Sequence, residues 1–245
     1  MLKIQNVTKK FGNFVAVKNL NLTIKEGEVF GLLGRNWAWK TTTIKMITGI
    51  LRPTEGKILF DDKIIFEHPI EVKKQIAYIP DTPFVYEKLT WVEFLLFIGS
   101  LWWIHPEEVK KRAMPLIKLF DLKDMVTKKT EEFSHWMRQK LVFISALIHK
   151  PKYLIVDEPM VWLDPQSARA IKDMFKLIAH KKMATVILTT HQLNVAQEVC
   201  DRVGIIHQWE LKYLFEDKKE FEKDLEDKFL SLTGAYDKNL LLQAL

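Results

Sequence analysis

The sequence predicts an α/β fold: a phosphate-loop core with crossover helices on a mostly parallel sheet, an N-terminal antiparallel β part and a helical insertion. Three observations predict it. An apolar strand, Val29–Leu33, runs through a turn into Lys40-Thr41-Thr42, which opens an apolar helix. Three more apolar strands, at 153–156, 184–189 and 203–207, are separated by helical stretches, and strands alternating with helices argue for a parallel sheet with crossovers. At 245 residues and 48% apolar, the chain can bury a substantial core as one large α/β domain or two small ones.

Taken in order, residues 1–24 alternate apolar and polar side chains around Lys10-Phe11-Gly12-Asn13, as two antiparallel strands do. Glu26-Gly27 turns into the first core strand. The helix after Lys40 ends near Gly49, and Pro53-Thr54-Glu55-Gly56 turns into a strand at 57–61. Residues 80–150 carry mostly helical periodicity, interrupted by Pro83, Pro106 and Pro115, and form the helical insertion. The segment 218–245 is charged, then apolar and helical. The expected division is a domain at 1–217 and a C-terminal helical tail at 218–245.

The net charge of +6 could point to nucleic acid, but Lys and Glu alternate through most segments. That pattern marks solvated helix faces, so no nucleic-acid partner is expected. A single cysteine, Cys200, excludes an internal disulfide and a cysteine-based zinc site and fits a buried core position in a reducing compartment. The most apolar run, 94–104, is shorter than the ~20 residues a helix needs to span a bilayer. Any membrane role must then come through a partner.

The chemistry starts at Gly34-Arg35-Asn36-Trp37-Ala38-Trp39-Lys40-Thr41. In the pattern G-x-x-x-x-G-K-[ST], glycines let backbone N–H groups wrap phosphates, while Lys reaches the β/γ oxygens and Thr reaches Mg²⁺. Here tryptophan stands at the second glycine. A positive φ there costs it about 1–2 kcal/mol.

Strand 153–156 ends in Asp157-Glu158-Pro159, at the edge of a parallel sheet where ligands sit. Beside a phosphate loop, Asp157 suits water-mediated Mg²⁺ binding and Glu158 suits polarising an attacking water. Ser134, before a long apolar helix, reads as an N-cap or as one wall of an anion site. Trp162-Leu163-Asp164-Pro165 follows the carboxylates, and Thr189-Thr190-His191 ends the next strand.

That order of motifs resembles the ATP-binding subunit of bacterial ABC transporters, over residues 2–234. It looks closest to the exporters whose ATPase and permease are separate chains. The resemblance implies that Phe11 stacks on adenine, and that Asn36, Lys40, Thr41 and Thr42 belong to the loop holding ATP and Mg²⁺. It implies that Asp157 and Glu158 form the metal-and-base pair and that Ser134 opens the signature motif. Asp164 would lie in the D-loop and His191 would act as the switch histidine. Asp81 falls where the family has glutamine, and an acidic side chain there can still reach Mg²⁺ or water. The implied partners are a membrane permease and a second ATP-binding subunit packed head to tail, at the cytoplasmic face of the membrane.

The departures from that family share one form. Trp37, Trp39, Trp136, Trp162 and Trp209 stand where the family has glycine, as do Trp91 and Trp103; Trp102 has no such assignment. Decay into a non-catalytic interaction subunit would scatter glycine into many residues and would also strike Lys40, Asp157, Glu158 or His191. Deliberate substitution would hardly target turns such as that at Trp209. A UGA codon read as glycine by its own cell, but rendered as tryptophan, accounts for one residue type replacing one other. The expectation is that the indoles at 37 and 39 crowd the phosphate pocket or point into solvent, because no apolar site was shaped for them.

Overall fold

The protein is described by a computed structural model covering residues 1–35, 39–125, 128–160 and 164–234. Asn36, Trp37 and Trp162 lie outside the described residues. In chain order the elements are β1 (Leu2–Phe11), β2 (Phe14–Ile24), β3 (Val29–Leu33), α1 (Lys40–Ile47), β4 (Glu55–Phe60) and β5 (Lys63–Ile64). They continue with α2 (Pro69–Lys73), β6 (Ile76–Ile79), α3 (Trp91–Leu101), α4 (Pro106–Leu119) and α5 (His135–Leu147). Then come β7 (Tyr153–Val156), α6 (Pro165–His180), β8 (Thr185–Thr190), α7 (Leu193–Val199), β9 (Arg202–His207), β10 (Glu210–Phe215) and α8 (Lys218–Thr233).

Two sheets result. The N-terminal one is antiparallel, in the order β2-β1-β4-β5; the core sheet has the order β10-β9-β3-β8-β7-β6. Within the core sheet, β9, β3, β8, β7 and β6 run parallel and β10 is an antiparallel edge. β3, β7 and β8 are buried along their whole length, which is why they read as near-continuous apolar runs, broken in β8 by threonines, rather than alternating ones.

Two apolar clusters flank the core sheet. One packs Phe30, Leu32 and Ile155 against α1 and the antiparallel sheet, through Ile44, Phe60 and Val17. The other joins the opposite sheet face to the helical insertion through Leu33, Val156, Phe94, Phe143 and Phe175. Cys200 is fully buried in it, and burial pushes its thiol pKa up. The segment after 217 shares this core: α8 buries Phe221, Leu225 and Phe229 there.

One sequence expectation is overturned in the insertion. Pro115 does not interrupt the helix but lies inside α4, and Pro106 occupies its first turn. Proline's fixed φ of about −65° suits a helix, so Pro106 opens it at no loss of hydrogen bonding and Pro115 costs one backbone bond. The apolar face of Val109, Ala113 and Ile117 holds the helix through that loss. Among the described residues no helix is long and apolar enough to cross a membrane.

Candidate functional site

Strand register assembles the site. Leu33 pairs with Thr190, Val156 with Leu188 and Ile79 with Val156. Residues that follow these strands therefore emerge side by side along one edge: Gly34 after β3, Asp81 after β6, Asp157 and Glu158 after β7, and His191 after β8. The Gly34 N–H donates to Thr190 O at 3.2 Å, and the Asp157 N–H to Ile79 O at 2.9 Å. A crevice beyond the carboxyl ends of parallel strands is the usual place for a ligand.

Lys40 is the first residue of α1, and its side chain is only 6% exposed. Its Nζ donates to Gly34 O at 2.7 Å and Arg35 O at 3.3 Å, and pairs with Glu158 Oε1 at 3.1 Å. Glu158 Oε2 in turn lies 2.9 Å from His191 Nδ1. The result is a continuous chain from cation to carboxylate to imidazole. Glu158 holds φ +48, a left-handed conformation costly for a side chain with a Cβ, stabilised in part by its N–H donating to Thr189 Oγ1 at 3.0 Å.

Asp157 is fully buried. Burial raises its pKa, the hydrogen bond from the Thr189 hydroxyl and the proximity of the Thr41 hydroxyl oppose this, and the neighbouring charges of Asp81 and Glu158 raise it further. Its Oδ1 accepts from Thr189 Oγ1, whereas Oδ2 is buried without a hydrogen-bond partner. A buried carboxylate oxygen left unpaired is costly, and a hard cation beside it removes the cost and favours the charged form. Among the described residues no group of three or more His, Cys, Asp or Glu could hold a metal alone. Asp157 with the Thr41 hydroxyl therefore fits Mg²⁺, which takes one or two protein oxygens and completes its shell with phosphate and water.

Among the described residues, the remaining sequence candidates make no hydrogen bond to Lys40, Asp157, Glu158 or His191, although Asp81 lies close enough for its charge to act on Asp157. Ser134 caps α5, accepting from the Met137 N–H at 3.3 Å. Asp164 caps α6, accepting from the Ser167 N–H at 2.8 Å, and pairs with Lys140 at 3.3 Å. Burial works to raise the Asp164 pKa, but these bonds from Ser167 and Lys140 hold it below the ordinary value. Phe11 ends β1, 47% exposed, with Lys9 Nζ 5.0 Å from its ring centroid. Thr42 is buried in α1. Asp81 is exposed and its carboxylate accepts from the Thr82 N–H at 2.8 Å.

Trp39 corrects an expectation. It sits at the N-cap of α1 with φ 60, yet its ring is neither loose in solvent nor unpacked. It is half-buried against the cluster beneath the antiparallel sheet, its centroid 4.9 Å from Phe14. The Phe14 face offers the indole an apolar neighbour that the local sequence did not reveal.

Two contributions were not foreseen. Thr189 both donates to Asp157 and accepts from Glu158; its signal was a hydroxyl at the end of an otherwise apolar strand. Arg35 Nη1 donates to Thr233 O at 3.1 Å, tying the phosphate loop to the end of α8, and no local signal announces that contact.

The family model described as "ABC transporter" matches residues 17–161, more than half of the chain. The linearmycin resistance ATP-binding protein LnrL of Bacillus subtilis is 37% identical over 211 residues, covering 86% of this chain and 68% of that protein. The ABC-type transporter ATP-binding protein EcsA of the same organism is 32% identical over 239 residues, covering 95% and 96%. Among solved structures, an ATP-binding subunit of an ABC transporter superposes with a TM-score of 0.82 at 27% identity, covering 99% of this chain and 98% of that one. A dimeric, post-hydrolysis ATP-binding cassette bound to ADP and Pi superposes at 0.79 with 26% identity, covering 89% and 99%. The chain belongs to the ABC transporter family, and the part of such a transporter to which it corresponds is the ATP-binding subunit.

Proposed function

We propose that this chain binds and hydrolyses ATP with Mg²⁺ and so powers a separate membrane permease, as one of two ATP-binding subunits at the cytoplasmic membrane face. The observation that carries the proposal is the chain Lys40–Glu158–His191 lying beside the unpaired buried oxygen of Asp157. In this reading the Lys40 ammonium leaves Glu158 for the β/γ-phosphate oxygens when nucleotide enters. That frees the Glu158 carboxylate to take a proton from the attacking water, while His191 orients it and contacts the γ-phosphate. Thr41 and Asp157 would hold Mg²⁺, which would supply charge neutralisation at the phosphates. Asn36 and Thr42 would complete the phosphate loop, Phe11 would stack on the base, and Asp81 would reach the metal or a water.

The caps at Ser134, exposed, and Asp164, half-buried, suit contacts from one subunit to the nucleotide held by the other. Two subunits packed head to tail would then form both sites together. The exporter subtype is supported by the relatives named for linearmycin resistance and bacitracin transport. The tryptophans at 37, 39, 91, 103, 136, 162 and 209 occupy family glycine positions.

The test is phosphate release from ATP by the chain carrying glycine at those seven positions, with and without Glu158→Gln. The substitution should lower turnover about 10²–10⁴-fold, the usual contribution of a general base, while ATP binding persists and a dimer accumulates. Unchanged turnover would reassign the base.

A further inference from the structure

Six tryptophans lie among the described residues, and three of them, Trp39 (φ 60), Trp103 (φ 52) and Trp209 (φ 70), adopt left-handed backbone. The other nine non-glycine residues with positive φ are all Asn, Asp, Lys, Glu or Gln. Tryptophan is the only apolar residue type in that set. Left-handed backbone crowds any Cβ against the following carbonyl, and glycine alone escapes this.

Each of the three positions belongs to a motif with its own demand for glycine. At the end of α3, the Trp103 N–H donates to Ser100 O at 3.0 Å and the Ile104 N–H to Gly99 O at 3.0 Å. This is the paired-bond helix ending whose left-handed residue is usually glycine. The same ending closes α1, with the Gly49 N–H on Met46 O at 3.1 Å and the Ile50 N–H on Lys45 O at 2.9 Å, and there the left-handed residue is Gly49 itself. Gln208 and Trp209, both at positive φ, form the two-residue connection between β9 and β10, since His207 pairs with Glu210. Such a turn takes glycine at its second position. Trp39 caps α1 without any side-chain hydrogen bond, and glycine is an accepted cap where tryptophan is not.

Of the other three described tryptophans, Trp136 is half-buried in α5 against the core, without left-handed backbone, while Trp91 and Trp102 differ from each other. Trp91 is buried in the first turn of α3 with its indole Nε1 lacking a partner, contrary to the rule that a buried indole N–H finds an acceptor. Trp102 is different in kind. Its φ is −100, and its ring stacks on His149 with centroids 4.0 Å apart and planes 6° apart.

We propose that the protein made in its own cell carries glycine at 39, 103 and 209, and by the same codon at 37, 91, 136 and 162, because that cell reads UGA as glycine, while Trp102 is a true tryptophan. Glycine at 39 relieves the left-handed strain at the residue before Lys40 and restores the phosphate-loop pattern that binds the oxygens of a nucleoside polyphosphate. The assignments at 37, 91, 136 and 162 follow the family's glycine positions, and the nucleotide consequence rests on the function proposed above.

Two measurements decide it. The gene should show UGA at all seven codons and UGG at codon 102, and tandem mass spectrometry of the protein from its source should read glycine at 39, 103 and 209. UGG at these positions, or peptides containing tryptophan there, overturns the proposal. Isothermal calorimetry with Mg-ATP on the seven-glycine chain and on its Gly→Trp revertant at 39 separates the two readings. We expect at least tenfold tighter binding with glycine at 39. Glycine in the native peptides together with no ATP binding would defeat the functional reading and leave the residue assignment standing. Tryptophan in the peptides together with ATP binding would do the reverse.

Discussion

Replacing Trp103 with glycine should stabilise the chain, contrary to the usual effect of deleting an indole. The Trp103 side chain is 84% exposed, and its ring contact is the Lys74 ammonium at 5.9 Å, so its removal forfeits almost no burial. Its φ of 52 costs a non-glycine residue about 1–2 kcal/mol. Against that relief, glycine's extra freedom in the unfolded chain costs about 0.4–1 kcal/mol. The net gain is on the order of 1 kcal/mol. For a chain of this length that raises Tm by about 2–4 °C. The neighbouring Trp102→Gly is the control: φ there is already favourable, and the stack on His149 is lost. Since full burial of a large apolar side chain is worth about 1.5–3 kcal/mol, losing this half-buried ring should destabilise by roughly 1–2 kcal/mol. Differential scanning calorimetry of the two variants gives the signs directly. A lower Tm for Trp103→Gly, or equal shifts for both, would refute the strain argument.

His191→Ala should lower ATP turnover, because it removes the group that pairs with Glu158 and, in the proposed reading, orients the water and contacts the γ-phosphate; turnover near the unsubstituted rate in a phosphate-release assay would contradict this. Thr41→Ala should weaken nucleotide binding in the presence of Mg²⁺ more than in EDTA, and equal weakening would remove Thr41 from the metal site. Glu28 and Arg202 form a buried pair at 2.9 Å, and breaking such a pair costs about 3–5 kcal/mol. Glu216 also contacts Arg202, at 2.8 Å, so Glu28→Ala should fall at the low end of that range in urea unfolding; a loss under about 1 kcal/mol would show the pair to be marginal. Burial lowers the His149 pKa below its ordinary 6.5, and the nearby Arg112 charge lowers it further, while the hydrogen bond to Ile76 O opposes them. The unfolded chain therefore binds the proton first, so stability should fall as pH drops below about 6.5, by at most about 1.4 kcal/mol per pH unit. His149→Gln should flatten that slope in pH-dependent melts; an unchanged slope would assign it to another group.

The parallel core was legible because β3, β7 and β8 are buried on both faces and so are written as near-continuous apolar runs, with threonines the only polar side chains in β8. Lys40, Asp157, Glu158 and His191 were legible because each directly follows, or lies in the turn after, such a strand, and strand ends in this topology converge. Trp209 was legible as a misfit, since a two-residue hairpin demands left-handed backbone at a defined position; at Trp103 only the resemblance pointed to glycine, and the left-handed helix ending emerged with the structure. What lay beyond reach was non-local. The role of Thr189 depends on β7 and β8 being neighbours, and the Arg35 contact with Thr233 joins residues 198 positions apart. The packing of Trp39 on Phe14 depends on the antiparallel sheet lying beside α1. Local sequence determines period, turn chemistry and which side chains end each strand, because those follow from backbone sterics and solvent exposure within a few residues. Tertiary structure alone decides which strand ends become neighbours, and hence that one carboxylate of the pair meets Lys40 and His191 while the other keeps a buried oxygen unpaired.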